Sequence, residues 1–329
     1  MSVRLSLAAQ SGGFAVPAEG RIAVFHPRSE HDLAVLPKEQ VLVIQPLRPD
    51  HDHFAGQGFT CAPALEAGAQ YAAAVVFLPR AKALARMLVA QAAAVTAGQV
   101  LIDGAKTEGI DSVLKDLRKR CTPSAPVSKA HGKVFWIEGG TDLSDWLPDG
   151  PQQVEGFITA PGVFSADGID PASRMLAAAL PQKLGRCVAD LGAGWGYLSA
   201  QVLKHEGVED LHLVEADHAA LACARLNAAD PRSHFHWADA RTWRAPGVVS
   251  TVVMNPPFHS GRAAEPALGQ AFIAAAASML ATSGSLWMVA NRHLPYETAL
   301  AEKFALVREE GGDNRFKILH AAKPKRGRK

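Results

Sequence analysis

The chain predicts an α/β protein built as two tandem doubly wound domains, and three observations carry that prediction. Short apolar runs of strand length end on glycine, carboxylate or proline and alternate with Ala-rich helical stretches, the pattern of parallel sheets flanked by helices. At 329 residues the chain exceeds the usual single-domain size, and an apolar fraction of 48% is enough for two ordinary cores. A turn-rich segment from Gly139-Gly140 to Gly162, with Leu147-Pro-Asp-Gly-Pro151 inside it, separates the halves into domains 1–150 and 151–329.

In the second half Cys187-Val-Ala189 runs into Asp190-Leu-Gly-Ala-Gly-Trp-Gly196, so Gly192, Gly194 and Gly196 lie where a strand gives way to a helix. That is the crevice in which open α/β sheets bind ligands. A dinucleotide fingerprint would carry its third glycine where Tyr197 stands, so a pyrophosphate cradle is disfavoured. Glycines allow close backbone approach, and Asp190 favours a ligand with ammonium or sulfonium charge. S-adenosylmethionine has both. Leu211-His-Leu-Val-Glu215 is the next strand, and Glu215 is the candidate for ribose hydroxyls. Ser233-His-Phe-His-Trp237 follows, then Ala238-Asp239, whose carboxylate is placed to accept from an adenine amine beside Ala238 or Trp237.

The fourth strand, Thr251-Val-Val-Met254, enters Asn255-Pro256-Pro257-Phe258. Prolines remove amide donors and leave carbonyls free to accept. An exocyclic amine needs such acceptors, so Asn255 and the Pro256 carbonyl are the candidates to orient it, with Phe258 stacking on a base at about 1–3 kcal/mol. Pro257 and His259 complete the substrate wall. Catalysis of this kind rests on positioning and fixed dipoles rather than on a strong base.

Asp190 to Gly196, Asn255-Pro-Pro-Phe-His-Ser-Gly261 and Ala290-Asn-Arg-His-Leu-Pro-Tyr-Glu297 resemble the ribosomal RNA guanine-N2 methyltransferases, above all the bacterial small-subunit enzymes. The resemblance covers the C-terminal half closely. It implies a class I, Rossmann-like S-adenosylmethionine-dependent methyltransferase domain behind a degenerate N-terminal copy. The implied reaction is methylation of the guanine N2 amine in 16S rRNA, either as free RNA or within a small-subunit particle. The Asn-Pro-Pro-aromatic element also occurs in adenine-N6 and protein-glutamine methyltransferases. Those activities, a large-subunit rRNA guanine-N2 activity and a silent RNA-binding assembly factor therefore remain alternatives.

Within the first half, Ala74-Val-Val-Phe-Leu-Pro79 and Gly98-Gln-Val-Leu-Ile-Asp103 repeat the order of Val252-Val-Met-Asn-Pro-Pro257 and Gly284-Ser-Leu-Trp-Met-Val289. Leu78 is read at the place of Asn255, and Val41-Leu-Val-Ile-Gln-Pro46 continues without glycines. This copy is expected to be structural or RNA-contacting.

Other elements follow by the same reasoning. Asp170 reads as the cap of a helix with Pro171 at its first position. Phe164 stands just before it, either over the adenosine or in ordinary packing. Phe272 to Leu280 reads as a helix, and Ala305-Leu-Val-Arg with Phe316-Lys-Ile-Leu-His as a closing hairpin around Gly311-Gly312-Asp313-Asn314. Net charge is only +2, but Arg80, Lys82 and Arg86, then Lys115, Arg118, Lys119 and Arg120, and the terminal Lys323-Pro-Lys-Arg-Gly-Arg-Lys329 are basic clusters suited to phosphates. Four separated cysteines and no long apolar run point to a cytoplasmic protein, neither exported nor membrane-inserted. The thirteen histidines are scattered, and the His51/His53 pair lacks a third ligand, so no metal is assigned.

Overall fold

The computed structural model describes residues 3–11, 13–257 and 266–326. It divides into two compact units, Met1–Gln152 and Gln153–Lys329.

The first unit contains α1 (Val3–Gln10), β1 (Ile22–Phe25), β2 (Val41–Ile44), α2 (Arg48–Gly56), β3 (Thr60–Ala62), β4 (Ala73–Phe77), α3 (Lys82–Val95), β5 (Gln99–Ala105), α4 (Ile110–Leu117), β6 (Val127–Lys129) and β7 (Gly132–Glu138). Its sheet runs β3-β2-β1-β4-β5-β7-β6, with β7 antiparallel to β5. The inner strands β1, β2 and β4 are buried at every residue, because helices cover both faces.

In the second unit a two-residue hairpin, with Glu155 and Gly156 both at positive φ, joins β8 (Gln152–Val154) to β9 (Phe157–Thr159). Then follow α5 (Pro171–Ala179), β10 (Cys187–Leu191), α6 (Tyr197–Val202), β11 (Asp210–Glu215), α7 (His218–Asn227), β12 (Ser233–Trp237), β13 (Val249–Met254), α8 (Pro266–Met279), β14 (Leu280–Asn291), α9 (Tyr296–Lys303), β15 (Phe304–Gly312) and β16 (Phe316–Pro324). The sheet order is β12-β11-β10-β13-β14-β16-β15, the same winding as in the first unit, strand for strand. The closing hairpin expected from sequence is β15/β16, paired antiparallel.

The shared register corrects the sequence-based matching of the two halves. The amide of His26 donates to the Ile44 carbonyl as that of Gly192 donates to Val214, so the counterpart of the glycine-bearing strand is β1. The Val41–Ile44 strand instead matches β11. Pairing of Val24 with Val43 and Val75, and of Asp190 with Leu213 and Val253, then places Val24, Gln45 and Phe77 at the positions of Asp190, Glu215 and Asn255. Phe77, not Leu78, takes the place of Asn255. Aligned position by position, residues 74–79 and 252–257 give the same answer, Phe77 opposite Asn255 and Leu78 opposite Pro256.

The corresponding crevice of the first unit is filled by its own side chains. The His31 ring stacks on Phe77 at a centroid distance of 4.1 Å and 15°, and its Nδ1 accepts from the Arg28 amide at 2.9 Å. Burial pushes the His31 imidazole down to about 4, below its unfolded value near 6.5. Between those values the unfolded chain binds the extra proton, so the contribution of His31 is present at neutral pH and is lost as pH falls through the window. The destabilisation by His31→Gln, read from urea midpoints, is therefore expected to be larger at pH 7.5 than at pH 5. A difference independent of pH would contradict this.

Candidate active site

The glycine turn begins where β10 ends. Gly192, Gly194 and Gly196 have φ of +75°, +56° and +90°, a region that L side chains enter at a cost. The amides of Gly192 and Ala193 both donate to the Val214 carbonyl, at 2.8 and 3.1 Å, which ties the turn to β11. The Gly194 amide donates to Glu215 Oε2 at 2.7 Å, while Glu215 Oε1 accepts from the Asp217 amide at 2.8 Å. Nothing lies within 4 Å of the place where a Gly194 Cβ would stand. A Cβ on Gly196 would approach the Ala224 Cα and Cβ to 3.1 Å, so that glycine lets α6 pack against α7.

Asp190 lies fully buried beneath the turn. Its Oδ2 accepts from the Ser199 hydroxyl at 2.7 Å, and Oδ1 has no hydrogen-bond partner among the described residues. Burial pushes both the Asp190 and the Glu215 carboxyls up to about 7. Asp239 is engaged by its own neighbour: Arg241 Nε sits 2.9 Å from both carboxylate oxygens and Nη2 2.6 Å from Oδ2. Trp237 donates from Nε1 to the Ala216 carbonyl at 2.8 Å.

A shallow cleft opens in front of the turn, lined among others by Phe164, Asp170, Ser173, Gly192, Gly194 and Asn255. Phe164 is 57% exposed and its carbonyl accepts from Trp195 Nε1 at 2.9 Å, so the turn itself pins this aromatic at the cleft. Asn255 follows β13 directly. Its Nδ2 donates to Asp170 Oδ2 and to Ser173 Oγ, both at 2.9 Å, and its Oδ1 has no partner among the described residues. Pro256 is buried and Pro257 exposed. Phe258 and His259 lie outside the described residues.

The structure thus gathers Gly192, Gly194 and Asn255 around one cleft, with Glu215 behind the turn, Asp190 below it and Asp239 paired to Arg241. Sequence reasoning saw Asp170 only as a helix cap, a role it does have, accepting from the Ser173 amide at 2.7 Å. Its contact with Asn255 spans 85 positions and has no signal in the sequence. Ser173 was missed for the same reason. Among the described residues no group of three or more His, Cys, Asp or Glu side chains is arranged to hold a metal ion, and no helix is long and apolar enough to cross a membrane.

A doubly wound sheet with a glycine turn at its central strand, an acid at the next strand end and an Asn-Pro-Pro corner at the fourth defines a methyltransferase. Residues 155–320 match the model of the methyltransferase small domain family. The protein named "Ribosomal RNA small subunit methyltransferase C" from Shewanella baltica (strain OS155) is 31% identical over 269 residues, 76% of each chain. Its namesake from Hahella chejuensis is 30% identical over 276 residues, 79% of this chain and 80% of that one. The T. thermophilus 16S rRNA N2 G1207 methyltransferase, solved in complex with AdoMet and guanosine, has a TM-score of 0.79 and 26% identity, covering 94% of this chain and 90% of its own. The chain belongs to the methyltransferase small domain family and, within it, to the small-subunit rRNA methyltransferase C relatives.

Proposed function

We propose that the protein methylates the exocyclic N2 amine of a guanine in 16S rRNA, with S-adenosylmethionine as donor. The observation that carries this reading is the Asn255 amide, with both its hydrogens engaged and its oxygen unpartnered, at the mouth of a glycine turn. The activity for which the T. thermophilus protein is named supports guanine N2 over adenine N6, and the names of the curated relatives support ribosomal RNA over a protein amide.

The donor fits the residues present: the open side of Gly194 accommodates close approach, and the Glu215 carboxylate is the group for ribose hydroxyls. When bound, S-adenosylmethionine supplies an electrophilic methyl group on a sulfonium sulfur. Asn255 Oδ1 and the Pro256 carbonyl accept the amine hydrogens and aim the nitrogen lone pair out of the ring plane. Phe258 stacks on the base, which has been drawn out of its helix. Asp190 lies under the turn with Oδ1 unpartnered among the described residues, Asp239 closes the adenine end, and Gly196 sets the helix that follows.

The first unit, with Val24, Gln45 and Phe77 at the positions of Asp190, Glu215 and Asn255 and His26 at that of Gly192, serves in this reading as a structural and RNA-contacting copy. Its two basic clusters meet around Asp116, which pairs with Arg86, with Lys82 at 3.7 Å and with Lys119 at 3.6 Å. Arg86 and Arg120 lie over the Trp146 ring at 5.4 and 5.3 Å from its centroid. Such a cationic surface suits the phosphates of a small-subunit particle in the cytoplasm. The terminal cluster is partly committed elsewhere, since Lys325 Nζ donates to the Ala301 carbonyl at 2.7 Å and Arg326 to that of Leu280.

The test is transfer of labelled methyl to small subunits and to free 16S rRNA from cells lacking this protein. The expected product is N2-methylguanosine. Label found in protein, or in N6-methyladenosine, would overturn the reading.

A further inference from the structure

An asparagine amide is nearly symmetric in shape, yet only one of its two orientations can serve an amine. With Oδ1 forward it accepts the hydrogens of the amine; turned over, it presents hydrogens to hydrogens. Something must choose. In this chain the choice falls to the first turn of α5. An ionised carboxylate can only accept, so Asp170 Oδ2, 2.9 Å from the Asn255 side chain, forces Nδ2 to face it. Ser173 Oγ takes the second hydrogen at 2.9 Å. The carboxylate is itself fixed, because the same Oδ2 accepts from the Ser173 amide at 2.7 Å as the helix cap. What remains is Oδ1, screened from solvent and without a partner among the described residues. A buried acceptor left unmatched is costly until a donor arrives.

We propose that Asp170 and Ser173 are positioning residues for methyl transfer: the cap of α5 locks the Asn255 amide with Oδ1 as the acceptor for the target amine. The inference rests on the proposed reaction and deepens it. It joins two duties in one side chain, ending a loop and orienting the substrate clamp. Neither residue needs to touch the substrate, since both act through Asn255.

A double-mutant cycle separates this from a purely structural role. Asp170→Ala and Ser173→Ala are each expected to lower kcat for methyl transfer, Asp170→Ala by about tenfold or more, the loss of one charge-assisted hydrogen bond. Donor affinity, measured by titration, should change far less than kcat. Asp170→Asn should recover most of the rate, because asparagine caps a helix equally well and its oxygen can still accept. In an Asn255→Ala background, followed by single-turnover transfer of labelled methyl, Asp170→Ala should cost nothing more. Asn255→Ser serves as a second background with a shorter polar side chain. Ser173→Ala retains the backbone amide of the cap, so its loss of rate should come without a large drop in melting temperature. Equal losses from Asp170→Ala with and without Asn255, or an Asp170→Asn protein as slow as Asp170→Ala, would overturn the relay alone. No transfer by the wild-type protein to any ribosomal RNA would overturn the underlying reading together with it.

Discussion

Asn255→Ala is expected to lower kcat for methyl transfer by about 10²–10³-fold, the range found when a single preorganised dipole is removed from a transition state. The dissociation constant of S-adenosylmethionine should change little. The expectation follows from how the side chain is held. Its two hydrogens are already given to Asp170 and Ser173, so the amide contributes one fixed acceptor rather than general polarity. A guanine N2 lone pair is delocalised into the ring and becomes nucleophilic only as its hydrogens are drawn towards acceptors. Alanine leaves those hydrogens with the Pro256 carbonyl alone. Nothing in the packing of β13 depends on the amide, since the strand's burial comes from Val252, Val253 and Met254, so the variant should fold. Single-turnover rates with donor titrations on the same preparation make the measurement. A fall in donor affinity that accounts for the whole loss would show that Asn255 binds the donor instead of orienting the amine.

How much of this was legible in the sequence depends on the range of the contact. The strands of the second unit could be read because parallel strands buried on both faces are continuous apolar runs, and glycine, glutamate and asparagine mark where β10, β11 and β13 stop. The order of those ends along one sheet edge then placed Gly192, Gly194, Glu215 and Asn255 together. Short edge strands left no such trace: β3 and β6 have three residues each, mostly exposed or half-exposed. Asp239 was read by its position after a strand, but position does not reveal that Arg241 folds back onto it. The Asp170–Asn255 contact was beyond reach because a cap motif looks the same whether or not a second side chain shares its oxygen.

The glycine turn shows the same limit at closer quarters, and a pair of substitutions should resolve it. Gly194 and Gly196 are two residues apart and look alike in sequence, yet they face different neighbours. At Gly194 the backbone lies in the left-handed well at φ +56° with open space beyond, so Gly194→Ala should cost only about 1–2 kcal/mol of stability. Its methyl group projects where the donor must approach, and donor affinity should fall sharply. At Gly196, φ of +90° lies beyond the left-handed well, and a Cβ meets Ala224 on α7 at 3.1 Å. Gly196→Ala must therefore strain the backbone and push α6 away from α7, each a cost of about 1–3 kcal/mol. For a unit of this size that lowers the melting temperature by several degrees, while donor affinity at low temperature is largely kept. Calorimetry and donor titration on both variants separate the two roles. Wild-type donor binding by Gly194→Ala, or wild-type melting of Gly196→Ala with weakened binding, would mean that the cradle for the donor lies at the helix end of the turn and not at its centre.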